Sequence, residues 1–259
     1  MPVCENAVIL ENKEISKNIF YMKLRTPSIA KDIKPGQFVN IKCSNGYDAF
    51  LRRPISVLFA EGETIELVYQ VKGKGTTLLS RFPIGSDVSL VGPLGKGFDA
   101  TVTGKKIAVI GGGIGIFPLY FLLTRLQNCE KFSFIGFRNK ESIILEKEFV
   151  AASSLFTITT DDGSFGLHGF VTEPFEKRLL VGLDQVYTCG PLQMIEKVAK
   201  MCIAHDVKCQ VSMEQRMGCG VGACAVCVCK GKSNNQDKWE YLKVCKNGPV
   251  FEATQLIFE

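Results

Sequence analysis

The sequence predicts a multidomain protein in which an antiparallel β-barrel is followed by an α/β domain with a parallel sheet and then by a small cysteine-rich domain. Three observations support this prediction. Short strand-like runs separated by turn residues fill the first region, strand and helix patterns alternate through the second, and cysteine and glycine are concentrated in the third. We therefore expect domains at residues 1–100, 101–210 and 211–259.

The barrel prediction rests on short apolar runs punctuated by proline and glycine. The runs with strand character are residues 7–10, 19–24, 38–42, 65–71 and 87–91. Turn signals such as Pro35-Gly36 and Gly92-Pro93 separate them. Many short strands with turns between them are typical of an antiparallel barrel or sandwich.

The α/β prediction rests on alternation of the two periodicities. Strand-like runs at 107–110, 132–137, 157–160 and 186–188 alternate with helix-like segments at 118–126, 141–152 and 192–204. This order is typical of a parallel sheet covered by helices.

A glycine-rich turn follows the first of these strands directly. Gly111, Gly113 and Gly115 lie between the strand and a helix, where glycine lets the backbone approach a pyrophosphate at a helix N-terminus. The match to G-x-G-x-x-G is partial, so an ordinary tight turn stays open as an alternative. A P-loop is excluded because no Gly-Lys-Ser/Thr follows. Two further turns, at 160–166 and 188–191, also follow strands, where open α/β sheets bind ligands.

Two motifs stand out in the first region. Residues 52–56 read R-R-P-I-S and residues 69–77 read Y-Q-V-K-G-K-G-T-T. Arginine offers a planar fork to phosphate or a flat ring, and a Gly-Thr turn at a helix start supplies donors to a diphosphate. In isolation, the first motif also fits a solvated strand edge.

The cysteine spacing in the third region predicts a metal centre. Cys219, Cys224, Cys227 and Cys245 have the C-x4-C-x2-C…C arrangement that holds a plant-type [2Fe–2S] cluster. The interleaved small residues let the backbone wrap closely around a cluster and direct N–H groups at its sulfurs. A Cys4 zinc site is the main alternative, although zinc ribbons usually have paired C-x2-C knuckles. Cys229 is a spare thiol.

Composition favours an intracellular redox protein. The chain has 259 residues, 46% of them hydrophobic, and eleven cysteines, of which seven lie outside the proposed ligand set without framework spacing. Free thiols indicate a reducing compartment, and the N-terminus lacks a signal-peptide pattern, so we expect a cytoplasmic protein. The net charge of +5 has interspersed signs, which disfavours nucleic acid, and no apolar run is long enough to span a bilayer.

Together these motifs resemble the ferredoxin–NADP reductase superfamily, in which an FAD-binding barrel precedes a pyridine-nucleotide domain. The motifs that carry the resemblance are R-P-I-S at 53–56, G-P-L-G at 92–95, the glycine turn at 111–115, C-G-P at 189–191 and the cysteine loop. The segments 213–229 and 244–251 closely resemble the electron-transfer subunits of bacterial NAD-dependent, class 1B dihydroorotate dehydrogenases. This likeness spans essentially the whole chain.

The resemblance implies a role for each motif residue. The residues implied to contact FAD are Arg53, Pro54, Ile55, Ser56, Val68, Tyr69, Gln70, Gly75 and Thr76. The residues implied to contact NAD are Gly111, Gly113, Gly115, Asp161, Gly163, Cys189, Gly190 and Pro191. The cluster ligands are Cys219, Cys224, Cys227 and Cys245. Gln70 departs from the basic residue expected at that position.

The resemblance also implies an oxidoreductase subunit without the dihydroorotate site. That site would lie on an FMN-containing catalytic subunit, in a heterotetramer with two copies of each chain, and would serve pyrimidine biosynthesis. We expect part of the apolar face formed by Met213, Met217, Val221 and Val226 to contact this partner. The alternatives are a small subunit of an NADH-dependent ferredoxin:NADP reductase or sulfide dehydrogenase, an oxygenase reductase, and a redox sensor or zinc-stabilised module.

Overall fold

The computed structural model describes residues 1–44, 46, 48–179, 181–233 and 238–258. Its strands are β1 (Val3–Ser16), β2 (Ile19–Arg25), β3 (Phe38–Ile41), β4 (Arg53–Glu61), β5 (Thr64–Gln70), β6 (Asp87–Leu94), β7 (Lys106–Gly112), β8 (Glu130–Phe137), β9 (Leu155–Thr160), β10 (Leu167–His168), β11 (Gln185–Cys189), β12 (Lys208–Ser212), β13 (Val228–Lys232), β14 (Trp239–Lys243) and β15 (Val250–Glu252). Its helices are α1 (Pro27–Ala30), α2 (Lys74–Leu79), α3 (Ile116–Arg125), α4 (Glu146–Ala152), α5 (Thr172–Leu179), α6 (Leu192–Ala204) and α7 (Val244–Asn247).

The first six strands close into an antiparallel barrel, as predicted. Their order around the barrel is β1-β2-β5-β4-β3-β6. Alternate residues point inward, so that Met22 and Leu24 of β2 and Ile65 and Leu67 of β5 are fully buried in one apolar core. This core fixes the register of each strand, because a slip of one residue would turn its apolar face to solvent.

The parallel sheet is also confirmed. Its order is β10-β9-β8-β7-β11-β12-β15, and all neighbours are parallel except β15, which pairs antiparallel with β12. The sequence pattern missed β10, β12 and β15, and β12 and β15 follow the strand that ends at Cys189. The predicted boundary at residue 210 falls inside β12, and the domain limits remain a proposal.

Helix α3 packs between the barrel and the sheet. Its residues are buried nearly all round, as expected of a helix covered on every side. Phe121 packs with the barrel core, whereas Ile116 and Leu119 pack with sheet residues. Arg125, at its last turn, donates to the carbonyl of Ala60 on β4 at 2.5 Å. Helix α3 thereby joins the sheet to the barrel.

One predicted helix is shorter than its sequence pattern. The pattern at 141–152 predicts one helix, but α4 begins only at Glu146. Leu145 has a left-handed φ of 59°, which interrupts helical geometry, and Asn139 caps a separate turn through its bond to the Ser142 backbone. Helix α6 has the predicted limits. Among the described residues, no helix is both long and apolar enough to cross a membrane.

Candidate cofactor sites

The predicted flavin residues lie where two barrel strands separate. Residues 53–56 of β4 pair with β3, whereas the ladder between β4 and β5 begins only at Val57 opposite Leu67. Residues 68–70 of β5 pair with β2 on their other side. The two segments therefore present backbone groups across an opening between β4 and β5. Pro54 lacks an N–H group, which suits a residue that has no ladder partner on its β5 side. An opening of this kind suits a flat ring.

The predicted diphosphate turn closes one end of this opening. A Cβ added to Gly75 would lie 2.7 Å from Nε of Arg53, so these two predicted residues are in direct contact. The Thr76 hydroxyl accepts hydrogen bonds from the backbone N–H groups of Lys72 (3.0 Å) and Gly73 (3.3 Å) and orders the start of α2. The structure thus brings the R-P-I-S and G-T motifs together although they are twenty residues apart.

Tyr69 has a different position from its two neighbours. Its side chain is 2% exposed, stacks on Phe20 with ring centroids 5.8 Å apart, and donates a hydrogen bond to Oδ1 of Asn12 at 3.0 Å. Burial raises the pKa of its phenol well above the ordinary value. Because the side chain of Tyr69 belongs to the barrel core, only the backbone of this residue faces the opening. The side chains of Val68 and Gln70 point to the other face of β5.

Replacing Gly75 by alanine is expected to weaken FAD binding without lowering stability. The new methyl group would meet the guanidinium of Arg53, the end of a flexible side chain, so the arginine moves and the helix stays. Alanine also favours the helix by up to about 1 kcal/mol. We expect the Kd for FAD to rise about tenfold, since a charged hydrogen bond contributes roughly 1.5–3 kcal/mol. Fluorescence titration with FAD measures it.

A double-mutant cycle with Arg53→Ala provides the control. If the alanine acts by displacing Arg53, the combined variant binds FAD no more weakly than Arg53→Ala alone. Full additivity of the two effects would contradict this explanation.

The predicted nucleotide turns meet at the carboxyl ends of β7 and β11. Gly111 pairs with Cys189 in the parallel ladder. A Cβ on Gly115 would lie 2.6 Å from the carbonyl oxygen of Cys189 and from the nitrogen of Gly190, and a Cβ on Gly112 would lie 2.8 Å from Pro191. Glycine is required at 115 because the two turns approach each other closely, and an alanine at 112 would meet the ring of Pro191.

The turn with Asp161 and Gly163 lies farther along the same edge. It follows β9, which is separated from β7 by β8 alone, a spacing of roughly 10 Å. Gly163 donates to the carbonyl of Thr160 at 3.1 Å and has a φ of 72°, and Asp162 accepts from Ser164 at 2.6 Å. Hydrogen bonds from Ser164 lower the pKa of Asp162. The predicted nucleotide residues therefore form two groups along one edge.

The four predicted cluster ligands are arranged in two pairs. Cys224 Sγ accepts the backbone N–H of Cys219 at 3.4 Å, and Cys227 Sγ accepts that of Cys245 at 3.4 Å. Three ligands come from the loop between β12 and β13 and the fourth from α7. Two pairs of thiolates match the two irons of a [2Fe–2S] cluster. Among the described residues, no three His, Cys, Asp or Glu side chains are placed to hold a single ion.

The loop backbone is shaped around the sulfur of Cys219. This sulfur accepts N–H groups from Val221 (3.4 Å), Ala223 (3.3 Å) and Cys224 (3.4 Å). Burial alone would raise the pKa of the Cys219 thiol, but these bonds outweigh it and lower the pKa to about 6. The same donors would stabilise negative charge on a metal-bound thiolate.

Cys245 differs from Cys219 because burial dominates. Burial, followed by the neighbouring Cys227, raises the pKa of Cys245 to about 12. A metal ion bound here would require this thiol to lose its proton. The spare thiol, Cys229, lies half-buried on β13, where burial raises its pKa to about 11.

The loop between β12 and β13 that carries Cys219, Cys224 and Cys227 is called the cluster loop below. Two residues that the sequence did not indicate hold it in place. Lys243 Nζ donates to the carbonyl of Gly222 at 2.8 Å, and Asn40 Nδ2 donates to the carbonyl of Cys219 at 3.3 Å. A lysine and an asparagine far from the cysteines carry no spacing signal, so only the tertiary structure reveals them. The loop is thereby fastened to the C-terminal segment on one side and to the barrel on the other.

Two family descriptions match the chain. Residues 6–98 match the oxidoreductase FAD-binding domain, and residues 214–257 match the iron-sulfur cluster binding domain of dihydroorotate dehydrogenase B. A structure of an NADH-dependent reduced ferredoxin-NADP oxidoreductase aligns with a TM-score of 0.83 and 25% identity, covering 97% of this chain and 89% of that one. A Neisseria gonorrhoeae ferredoxin NADP+ reductase with bound FAD and NADP aligns at 0.63 and 19% identity, over 78% and 91%.

The barrel, the parallel sheet and the cysteine loop thus define a flavin- and iron–sulfur-containing oxidoreductase of the ferredoxin–NADP reductase fold. The match of residues 214–257 to an iron-sulfur cluster binding domain favours an iron–sulfur cluster over the zinc site that the sequence left open. Proteins named dihydroorotate dehydrogenase B (NAD(+)), electron transfer subunit, from Desulforamulus reducens and a Geobacillus species are each 38% identical over 98% of both chains. The chain belongs to this family of electron transfer subunits.

Proposed function

We propose that this chain carries electrons between a partner subunit that oxidises dihydroorotate and NAD, in pyrimidine biosynthesis. The partner is an FMN-containing catalytic subunit, and the complex is a heterotetramer with two copies of each. The observation that carries the proposal is the attachment of a paired-cysteine loop to the barrel beside the opening between β4 and β5. None of the eleven cysteines is paired in a disulfide, which supports a cytoplasmic location.

Each cofactor has a set of residues suited to hold it. Residues 53–56, the edge of β5 and the turn at Gly75 and Thr76 would hold FAD. The turns at 111–115 and 189–191, with Asp161 and Gly163, would hold NAD, and the cysteine pairs would ligate the cluster. NAD exchanges two electrons as hydride whereas a [2Fe–2S] cluster carries one, so FAD between them supplies the conversion.

The protein would contribute placement of the cofactors and stabilisation of their charge. The glycine turns would offer backbone N–H groups to the dinucleotide, and the strand edges at 53–56 and 68–70 would hold and orient the flavin. The N–H donors around Cys219 offset the charge of the thiolates.

Two exposed apolar residues of the cluster loop support a partner interface. Val221 and Val226 are 50% and 54% exposed, whereas Met213 lies in the core of the sheet and Met217 packs against it. Of the apolar face expected from the sequence, one half therefore packs inside this chain. The two valines remain as the part that suits a partner.

Replacing Val226 by aspartate is expected to weaken association with the catalytic subunit about tenfold or more, because a charge would be buried in an apolar contact. The fold should be unaffected, since the side chain is exposed. The matched control is Val181→Asp, which is 66% exposed and lies before β11, at the edge of the sheet opposite the nucleotide turns. Titration calorimetry compares the two. Equal affinities for both variants and wild type would rule out an interface at Val226.

Co-purification from the native host tests the proposed function. We expect a roughly equimolar FMN protein and dihydroorotate-dependent reduction of NAD by the complex. Recovery of a ferredoxin-linked subunit in its place, without dihydroorotate activity, would contradict the proposal and favour a ferredoxin:NADP reductase type of complex.

A further inference from the structure

Asn40 is a buried polar residue between the predicted flavin opening and the cluster loop. On β3, Val39 and Ile41 point into the barrel core, so Asn40 points outward. It is 1% exposed and lies directly opposite Pro54 of β4 in the antiparallel register. It therefore neighbours a residue of the flavin opening on one side and the cluster loop on the other.

The side-chain amide of Asn40 lies close to two successive residues of the cluster loop, Cys219 and Gly220. Its Nδ2 donates to the carbonyl of Cys219, a cluster ligand, at 3.3 Å. The next residue, Gly220, has a φ of 74°, and a Cβ there would lie 2.5 Å from Nδ2 of Asn40. The loop thus needs glycine for its backbone shape and for this approach.

The backbone of Asn40 is also held in place. Arg52 Nη1 donates to the Asn40 carbonyl at 3.4 Å and to the Ser89 carbonyl at 2.7 Å, and its Nη2 donates to Ser89 Oγ at 2.9 Å. Arg52 therefore joins β3 to β6 next to the cluster loop. The asparagine side chain projects from a part of the barrel that is itself fixed.

The energetics of Asn40 point away from a purely stabilising role. Its Oδ1 is buried and has no hydrogen-bond partner among the described residues. A buried amide with one unpaired group lowers stability relative to an apolar side chain of the same shape. The side chain gives one directional bond to the cluster loop and leaves the other half of its amide unpaired.

We propose that Asn40 is a positioning residue for electron transfer, setting the distance and orientation of the cluster relative to the flavin by tying the Cys219 end of the loop to the flavin-binding barrel. This inference rests on the proposed function. Electron transfer falls steeply with distance, so a small displacement of the loop slows it. Mutation of a residue that hydrogen-bonds to a metal ligand typically lowers metal affinity or activity by about 10- to 100-fold.

The test compares Asn40→Leu with wild type in the complete, cofactor-loaded chain. After anaerobic mixing with NADH, flavin absorbance reports hydride transfer and freeze-quench electron paramagnetic resonance reports cluster reduction. We expect unchanged flavin reduction, cluster reduction slower by about tenfold, an altered spectrum of the reduced cluster and an unfolding temperature that is not lowered. Asn40→Asp, which keeps the shape and removes the donor, should slow cluster reduction similarly.

The matched control is Asn12→Leu in the same barrel. Asn12 donates to the carbonyls of Leu79 and Phe82 at 3.1 Å each and accepts from Tyr69, so its loss should lower the unfolding temperature and leave cluster reduction unchanged. Wild-type rates and spectra in both Asn40 variants would overturn the inference. Loss of iron together with a lowered unfolding temperature in both would also overturn it, in favour of a structural role. A wild-type chain without iron or flavin would instead overturn the proposed function.

Discussion

Replacing Cys245 by serine is expected to stop electron delivery to or from the partner subunit while NADH still reduces the flavin. Cys245 is 3% exposed and is the one proposed ligand that comes from outside the loop, through α7. Its pair with Cys227 forms one half of the proposed iron site. Serine is a poor ligand for iron, so the cluster is lost, and delivery should fall at least about 100-fold, beyond the usual effect of an outer-shell change.

The control for this variant is Cys229→Ser. Cys229 lies on β13, close in sequence to Cys227 and outside both cysteine pairs. Iron and acid-labile sulfide should be retained, and dihydroorotate-dependent NAD reduction should stay near wild type. If Cys245→Ser kept its cluster and its activity, or if the two variants lost iron equally, the ligand assignment would be wrong.

Replacing Gly115 by alanine is expected to slow the reduction of the flavin by NADH, which is the second large effect. The backbone φ of Gly115 is −68°, which alanine adopts freely, so the change introduces no backbone strain. Its Cβ would instead lie 2.6 Å from the backbone of Cys189 and Gly190, which cannot rotate away as a side chain can. The two nucleotide turns must separate. A misplacement of about 1 Å costs on the order of 100-fold in rate, so NADH-dependent flavin reduction should fall by that amount.

Flavin and iron contents should be unchanged in Gly115→Ala, and reduction of the flavin by dithionite should proceed normally. Gly104→Asn is a suitable control. Gly104 has a φ of 65°, which asparagine tolerates, and no atom lies within 4 Å of its added Cβ. It precedes β7, at the opposite edge of the sheet from the turns. Normal flavin reduction by NADH in Gly115→Ala would show that this turn does not hold the dinucleotide.

Local patterns predicted much of this protein because their chemistry is local. The cysteine spacing, the glycine turn after β7 and the limits of α6 are each set by neighbours in sequence. Strand β4 was not predicted because it begins at two residues, Arg53 and Pro54, that are not typical of a strand. Later in the same strand, Val57 and Ala60 are buried in the barrel core. Strand β15 has only three residues, and it forms because β12 offers an edge.

The candidate site shows the same division between local and long-range information. The motifs identified Arg53 and Gly75 separately, but their contact follows from the closure of the barrel. The resemblance implied that Val68, Tyr69 and Gln70 contact FAD, and strand alternation adds that the side chain of Tyr69 lies in the barrel core. Asn40 and Lys243 depend on contacts across 179 and 21 residues of sequence, which no local pattern records.

Quantitation of iron, acid-labile sulfide and FAD in anaerobically purified protein tests the central claim, that paired cysteines hold a [2Fe–2S] cluster next to a flavin in one chain. We predict about two irons, two sulfides and one FAD per chain, with a signal from the reduced cluster in electron paramagnetic resonance. Bound zinc without iron or labile sulfide, or iron without flavin, would contradict the account.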